Sequence, residues 1–272
     1  MRNIKSTKTL SVIAAILLSV FAVGEATADP INGSFESGLT GWTGTGTTGV
    51  SYGTKVTDIG EVVTASPDGG YYAYVTTTGG ALSSGLGSNP PGTYASEYNG
   101  STLRYEFSAG AGDVLQFFFN YVTTDGVEDS TGTNFADYAW ARVLGTGLSE
   151  IGSLLVDTRT ELGGVNGSWN FTRGEAWFPL GTDSGSCFGT KCGYTGWLQS
   201  AAYTFTSAGN YILEFGVVNW SDEDQQSGLA FDGVTLTPGD PGDPPEVPEP
   251  ASLALLGLGL VGIGALRRRK SA

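Results

Sequence analysis

The chemistry open to this chain is bounded first by what it lacks. Its 272 residues contain no histidine, which removes the commonest general base, the commonest metal ligand and every histidine-dependent triad. Cys187 and Cys192 are the only cysteines. Four residues separate them, too many for a redox Cys-x-x-Cys, and no partner residues complete a zinc site, so the pair predicts a local structural disulfide. What the chain holds in quantity is oxygen, with 27 acidic residues. Asn219 to Gln226 concentrates Asp222, Glu223 and Asp224, and Asp125, Glu128 and Asp129 form a second acidic loop. Calcium takes six to eight oxygen ligands without histidine, so these loops are candidate sites, with Asp222 and Asp224 the named ligands. The alternative is that they are solvated acidic loops, since neither spells an EF-hand or a nonapeptide calcium repeat.

Catalysis finds little support. Glycoside hydrolysis needs only two suitably spaced carboxylates, and a chain this acidic supplies such pairs by number alone. No Gly-x-Ser-x-Gly elbow, phosphate loop or dinucleotide fingerprint is present. The sequence therefore predicts a protein that is not an enzyme. Sugar binding would need aromatic faces flanked by polar groups. Trp42, Trp169, Trp177, Tyr194 and Trp197 lie in turn-rich segments, and Trp169, between Ser168 and Asn170, is the predicted surface residue.

The two ends of the chain must be set aside before the fold is considered. Arg2, Lys5 and Lys8 precede an apolar run from Leu10 to Val23 and an Ala26-Thr27-Ala28 cleavage site, so residues 1–28 read as a signal peptide for signal peptidase. At the other end Val247-Pro248-Glu249-Pro250 leads into sixteen apolar residues, 251–266, and then Arg267, Arg268, Arg269 and Lys270. A sixteen-residue helix is roughly 24 Å long, short for a hydrocarbon core of about 30 Å. The basic cluster would hold it on the cytoplasmic side.

The two ends carry seven of the thirteen basic residues but two of the 27 acidic ones, leaving 6 basic against 25 acidic residues, a formal −19. That balance excludes nucleic acid as a partner and favours cations.

The elements that must position these residues are strands. Gly, Thr, Ser and aromatic residues dominate, and short β-prone runs alternate with Gly/Asn/Asp/Ser clusters, so residues 29–237 read as one all-β domain. Strands are predicted near 31–35, 42–51, 61–65, 71–77, 102–107, 114–123, 136–144, 154–158, 175–179, 197–205, 210–219 and 229–237. Tyr211, Leu213 and Phe215 alternate toward the core. Tyr105, Phe107, Leu115 and Phe117 repeat as Tyr203, Phe205, Leu213 and Phe215, and both sets predict a hairpin with core-facing aromatics. Repeated proline makes residues 238–246 an extended linker.

Two resemblances add to this reading. The Val-Pro-Glu-Pro motif, the apolar segment and the basic tail resemble the PEP-CTERM sorting signal, which implies an exported protein processed near the motif by an exosortase-type membrane enzyme. The signal would span 247–272, with the protein passing through the membrane to the envelope or matrix. The opening Asn32-Gly33-Ser34-Phe35-Glu36 through Trp42 and the closing Asp232-Gly233-Val234-Thr235-Leu236 are similar to galactose-binding-like, carbohydrate-binding-module sandwiches. That resemblance implies a two-sheet antiparallel jelly roll flanked by the signal peptide and a short transmembrane helix. It also implies a structural calcium held by Glu36 and Asp232. A structural or adhesive matrix role is expected, with non-catalytic binding of extracellular polysaccharide as the alternative.

Overall fold

The computed structural model describes residues 31–56, 62–63, 65–87, 90, 97–125, 137–155, 187, 192–220 and 222–239. The first strands are β1 (Trp42–Thr45), β2 (Thr47–Tyr52), β3 (Lys55–Val56), β4 (Val62–Val63), β5 (Tyr71–Thr76) and β6 (Ala81–Leu82). A single 3-10 turn, Ser83–Gly85, precedes β7 (Glu97–Ala109), β8 (Val114–Thr123), β9 (Tyr138–Gly145) and β10 (Glu150–Leu155). The last are β11 (Gly193–Tyr194), β12 (Leu198–Gln199), β13 (Tyr203–Thr204), β14 (Gly209–Trp220) and β15 (Ser227–Thr237).

Apart from β3 and β4, which pair only with each other, these strands make a two-sheet antiparallel jelly-roll sandwich. The first sheet runs β1-β7-β14-β9-β10, with β6 also on β7. The second runs β11-β8-β15-β5-β2, with β12 and β13 continuing along the β8 edge. Alternation puts Leu103, Phe107, Ala139, Ala141, Val143, Leu213, Phe215 and Val217 of one sheet against Val75, Phe117, Phe119, Leu229 and Phe231 of the other. Phe215 stacks on Phe231 at 3.7 Å between ring centroids and meets Phe117 edge-on at 4.8 Å. Large aromatic rings packed this way anchor the two layers. The predicted inward phase of Tyr211, Leu213 and Phe215 is what the core contains.

The duplicated Tyr-x-Phe…Leu-x-Phe pattern is core-facing but does not form hairpins. Tyr105 and Phe107 lie on β7 in the first sheet, whereas Leu115 and Phe117 lie on β8 in the second. Tyr203 pairs with Leu115 in the second sheet, and Leu213 pairs with Tyr105 in the first. Each segment is therefore an arch that carries the chain from one sheet to the other. The reason is the aromatic pattern itself: aromatic side chains meet in the shared core instead of lying side by side on one sheet, with Phe205 against Tyr211 at 4.7 Å across the second arch and Phe107 edge-on to Phe205 at 5.7 Å between the two arches.

Boundaries shift elsewhere. The predicted strand 31–35 is an irregular segment, yet Val234 donates its N–H to the Gly33 carbonyl at 3.1 Å. A Cβ on Gly33 would lie 2.0 Å from the Val234 carbonyl oxygen, so only glycine permits this approach. The predicted 42–51 strand divides at Gly46 (φ 78). The predicted 154–158 strand begins earlier, at Glu150, and its residues 156–158 lie outside the described residues. Predicted 175–179 lies outside the described residues. Cys187 and Cys192 form the predicted disulfide, with Cα atoms 5.7 Å apart.

Candidate metal centre and the buried carboxylates

Of the five carboxylates buried among the described residues, Asp113, Asp125, Asp137, Glu214 and Asp232, three have sharply different sets of neighbours. Glu214 lies on the outer face of the first sheet, in register with Arg104 on one side and Arg142 on the other. Its side chain is fully buried, with Arg104 Nη2 at 2.7 Å from Oε2 and Arg142 Nε at 2.8 Å from Oε1. Trp140 Nε1 donates a further bond to Oε1 at 2.8 Å. Gly216 makes room for that indole, since a Cβ there would lie 2.0 Å from the ring. This carboxylate is fully compensated by charge.

Asp232 belongs to the candidate calcium pair. It lies on β15, faces outward from the second sheet and is fully buried. Ser66 Oγ donates to its Oδ2, while Oδ1 has no hydrogen-bond partner. Burial pushes its pKa up to about 7, and the charges of Asp68 and Glu36 add to the rise. The opening segment brings Glu36 close enough to Asp232 for its charge to be felt there. Glu36 Oε1 lies against Gly69, which takes φ 76 in the turn following Asp68. The β15 strand bulges here, with register shifting between Asp232 and Thr235 and Gly233 at φ 57.

Asp137 is the third, and the sequence reading did not single it out. It immediately precedes β9, is buried, and accepts bonds from the Trp220 N–H at 2.9 Å and the Ser227 hydroxyl at 2.6 Å. Burial holds its carboxyl well above the usual range, and the charges of Asp125 and Asp222 push the same way. A usable signal was present: Ala139, Ala141 and Val143 face inward, so the alternation places Asp137 inward too.

Asp222 thus sits near a buried acid. Asp224 does not share that position: it is exposed, its N–H bonded to Asp222 Oδ1 at 3.1 Å. Among the described residues no three acidic or cysteine side chains gather closely enough to hold one metal ion by themselves. A calcium at either place would draw on hydroxyl, amide and carbonyl oxygens as well.

Of the aromatic candidates, Trp42 is a core residue, its indole donating to the Asn32 carbonyl at 2.9 Å. Tyr194 is buried, and Trp197 packs edge-on against Tyr72 at 5.3 Å. Trp169, Trp177, the motif Val247–Pro250 and the basic residues 267–270 lie outside the described residues. Among the described residues no helix is long and apolar enough to cross a membrane.

Comparison with known proteins supplies the class of the tail. The PEP-CTERM protein-sorting motif matches residues 246–270, so this is an exported protein carrying a C-terminal membrane-anchored sorting signal of the kind handled by exosortase-type systems. No curated protein matches the chain.

Solved structures similar to the sandwich include TmCBM61 in complex with β-1,4-galactotriose, at 13% identity, 78% of this chain, 99% of that one and a TM-score of 0.37. The K1 cleaved adhesin domain of Lys-gingipain from Porphyromonas gingivalis W83 is similar at 11% identity, 76% and 96% coverage and a TM-score of 0.39. A Stig cyclase from Fischerella is similar at 15% identity, 79% and 100% coverage and a TM-score of 0.35. The neighbours thus include carbohydrate-binding modules, adhesin domains and an enzyme.

Proposed function

We propose that this chain is a non-catalytic component of the cell envelope or extracellular matrix. Signal peptidase removes residues 1–28, the sandwich 29–237 folds outside the membrane, and an exosortase-type enzyme acts near Val247–Pro250. The sorting motif at 246–270 carries this reading. Residues 238–246 keep the motif clear of the sandwich, because an extended proline-rich chain covers about 3.1 Å per residue. Mass spectrometry of the mature C-terminus tests it. Termination near Val247–Pro250 is expected, and an intact end at Ala272 in the mature pool would contradict it.

Polysaccharide binding is the second reading, favoured by the outer face of the second sheet. There Asn120 points outward from β8 beside the small Ala230 of β15, whose β5 partner is Tyr74, and Tyr72 points outward from β5 two residues before Tyr74. Asn120 is fully buried, and its Nδ2 has no acceptor. Tyr72 Oη has no partner in hydrogen-bonding geometry, although the Ser51 hydroxyl is close enough to act on it. Trp197 stands over Tyr72. Unpaired polar groups beside aromatic rings are what a sugar needs. A glycan array with wild type and Trp197→Ala tests this: signal lost in the variant supports it, and a blank array for wild type removes it. The Glu36–Asp232 pair would hold a structural calcium in either case.

A further inference from the structure

The core changes character at the end of the sandwich where β14 turns into β15. Inward positions that hold aromatic and aliphatic groups elsewhere are occupied here by Asn99 of β7, Thr123 of β8, Asp137, Asn219 of β14 and Ser227 of β15. The Ser227 hydroxyl links Asp137 Oδ2 to Thr123 Oγ1 at 2.6 Å, and Thr123 Oγ1 in turn accepts the Asp125 N–H at 2.9 Å. Asp125 and Asp137 are thereby held close together inside the protein, each only 2% exposed, with Asp222 at the rim.

A second, independent observation concerns neutral oxygens. Asn219 is 0% exposed, and its Nδ2 donates to Asn99 Oδ1 at 2.8 Å, toward β7. Its Oδ1 has no donor. Val218 pairs with Tyr138 across β14 and β9, so the next residues along, Asn219 and Asp137, come opposite each other on the inner face. An amide oxygen is thus turned toward a carboxylate. Gln225 Oε1, in the same β14–β15 turn, is also buried without a donor.

Oxygen facing oxygen in a dry interior is unfavourable unless a shared proton or a positive charge lies between them. No described base supplies it. Arg104 and Arg142 are bound to Glu214 on the outer face of the first sheet. Lys55 follows the opposite end of β2, since Thr47 pairs with Thr76 at this end and Tyr52 with Tyr71 at the other.

We propose that this end of the sandwich binds a calcium ion through Asp137, Asp125, Asn219 Oδ1 and Gln225 Oε1, with Asp222 at its mouth. Two carboxylates with neutral amide, carbonyl and water oxygens make a ligand set suited to calcium, which accepts irregular coordination of six to eight. Magnesium demands a regular octahedron at shorter distance. The site is distinct from the Glu36–Asp232 pair, which lies farther along β15 by five residues, roughly 17 Å. Its effect would be to clamp β8, β9, β14 and β15 at one end, in a medium where calcium is plentiful.

The test uses the full-length protein in detergent, stripped of metal, with calcium alone or magnesium alone added at pH 8. The melting temperature is measured in the Glu36→Gln/Asp232→Asn background, which disables the other pair. Calcium is expected to raise it there by several degrees, magnesium much less, and Asp137→Asn to abolish the rise. Terbium gives a second readout, because the Trp220 backbone N–H bonds to Asp137, which places the tryptophan residue beside the site. Excitation of the indole should sensitise terbium emission that calcium displaces and that Trp220→Phe removes.

Asn219→Asp decides between a metal ligand and a hydrogen-bonding amide. It retains calcium binding if Asn219 Oδ1 is a ligand, and loses it if the amide only bonds to its neighbours. Should Asp137→Asn fail to fold, Asp222→Asn at the rim is expected to weaken calcium binding several-fold. A calcium response that disappears with Glu36→Gln/Asp232→Asn and is untouched by Asp137→Asn would overturn the proposal, as would no response at any calcium concentration up to 10-fold above about 1 mM, the weak end of extracellular sites.

Discussion

Glu214 and Asp137 are both acids buried in a sandwich, and they are neutralised in different ways. Glu214 receives two guanidinium groups and an indole N–H. Asp137 receives a backbone N–H and a hydroxyl, and its nearest charges are the acids Asp125 and Asp222. Asp232 resembles Asp137, with a serine hydroxyl and the acids Asp68 and Glu36 nearby. The difference teaches where this protein is self-sufficient. The outer face of the first sheet brings its own cations, while the β14–β15 end and the β15 bulge depend on protons or an external ion. Among the described residues both arginines go to Glu214, which leaves Asp137 and Asp232 to hydroxyl and N–H donors.

The comparison can be broken most forcefully at Glu214. Glu214→Gln leaves two guanidiniums facing a neutral amide, and removal of one partner from a buried ion pair costs about 3–5 kcal/mol. A fall in melting temperature of roughly 10 °C is expected for a domain of this size.

The opposite sign is expected at the uncompensated acids. Asp232→Asn should stabilise the metal-free protein at pH 8 by about 1–2 kcal/mol, a solvent-screened fraction of what its raised pKa represents, as measured by urea denaturation in chelator. Asp137→Asn should also stabilise under those conditions, and should destabilise relative to wild type once calcium is added. The smallest effect belongs to Glu150→Gln. Its partner Arg142 is 3.2 Å away, but Glu150 is 40% exposed, so under about 1 kcal/mol is expected.

Much of this architecture was legible in the sequence, because period-two alternation of Leu, Phe and Tyr marks inward faces directly. The phase of β8 and β14 follows from Leu115, Phe117, Leu213 and Phe215 alone. Pairing partners did not follow, because alternation says which face is buried without saying which sheet a strand joins. That is why two arches read as hairpins. For the site, Glu36 and Asp232 were reachable through the opening and closing motifs. For Asp137 the alternation through Ala139, Ala141 and Val143 marked the inward face, but a lone acid at the start of an apolar run looks like a strand terminus until the register places Asn219 opposite. Acidic loop density pointed to Asp222 and Asp224 together, whereas the turn directs only Asp222 toward the interior.

The central claim is that the sandwich carries buried acids without internal cations, and the pH dependence of its metal-free stability tests this most directly. Asp232 has a folded pKa of about 7 against an ordinary value of 3.8. Between those values the folded state holds more protons than the unfolded state, so stability falls as pH rises. Asp137 shifts in the same direction and adds to the slope. Urea denaturation of the full-length protein in chelator should therefore give its highest stability near pH 4 to 5 and a loss of several kcal/mol by pH 8, restored by calcium. A stability that is flat or rising over the same interval would contradict the account.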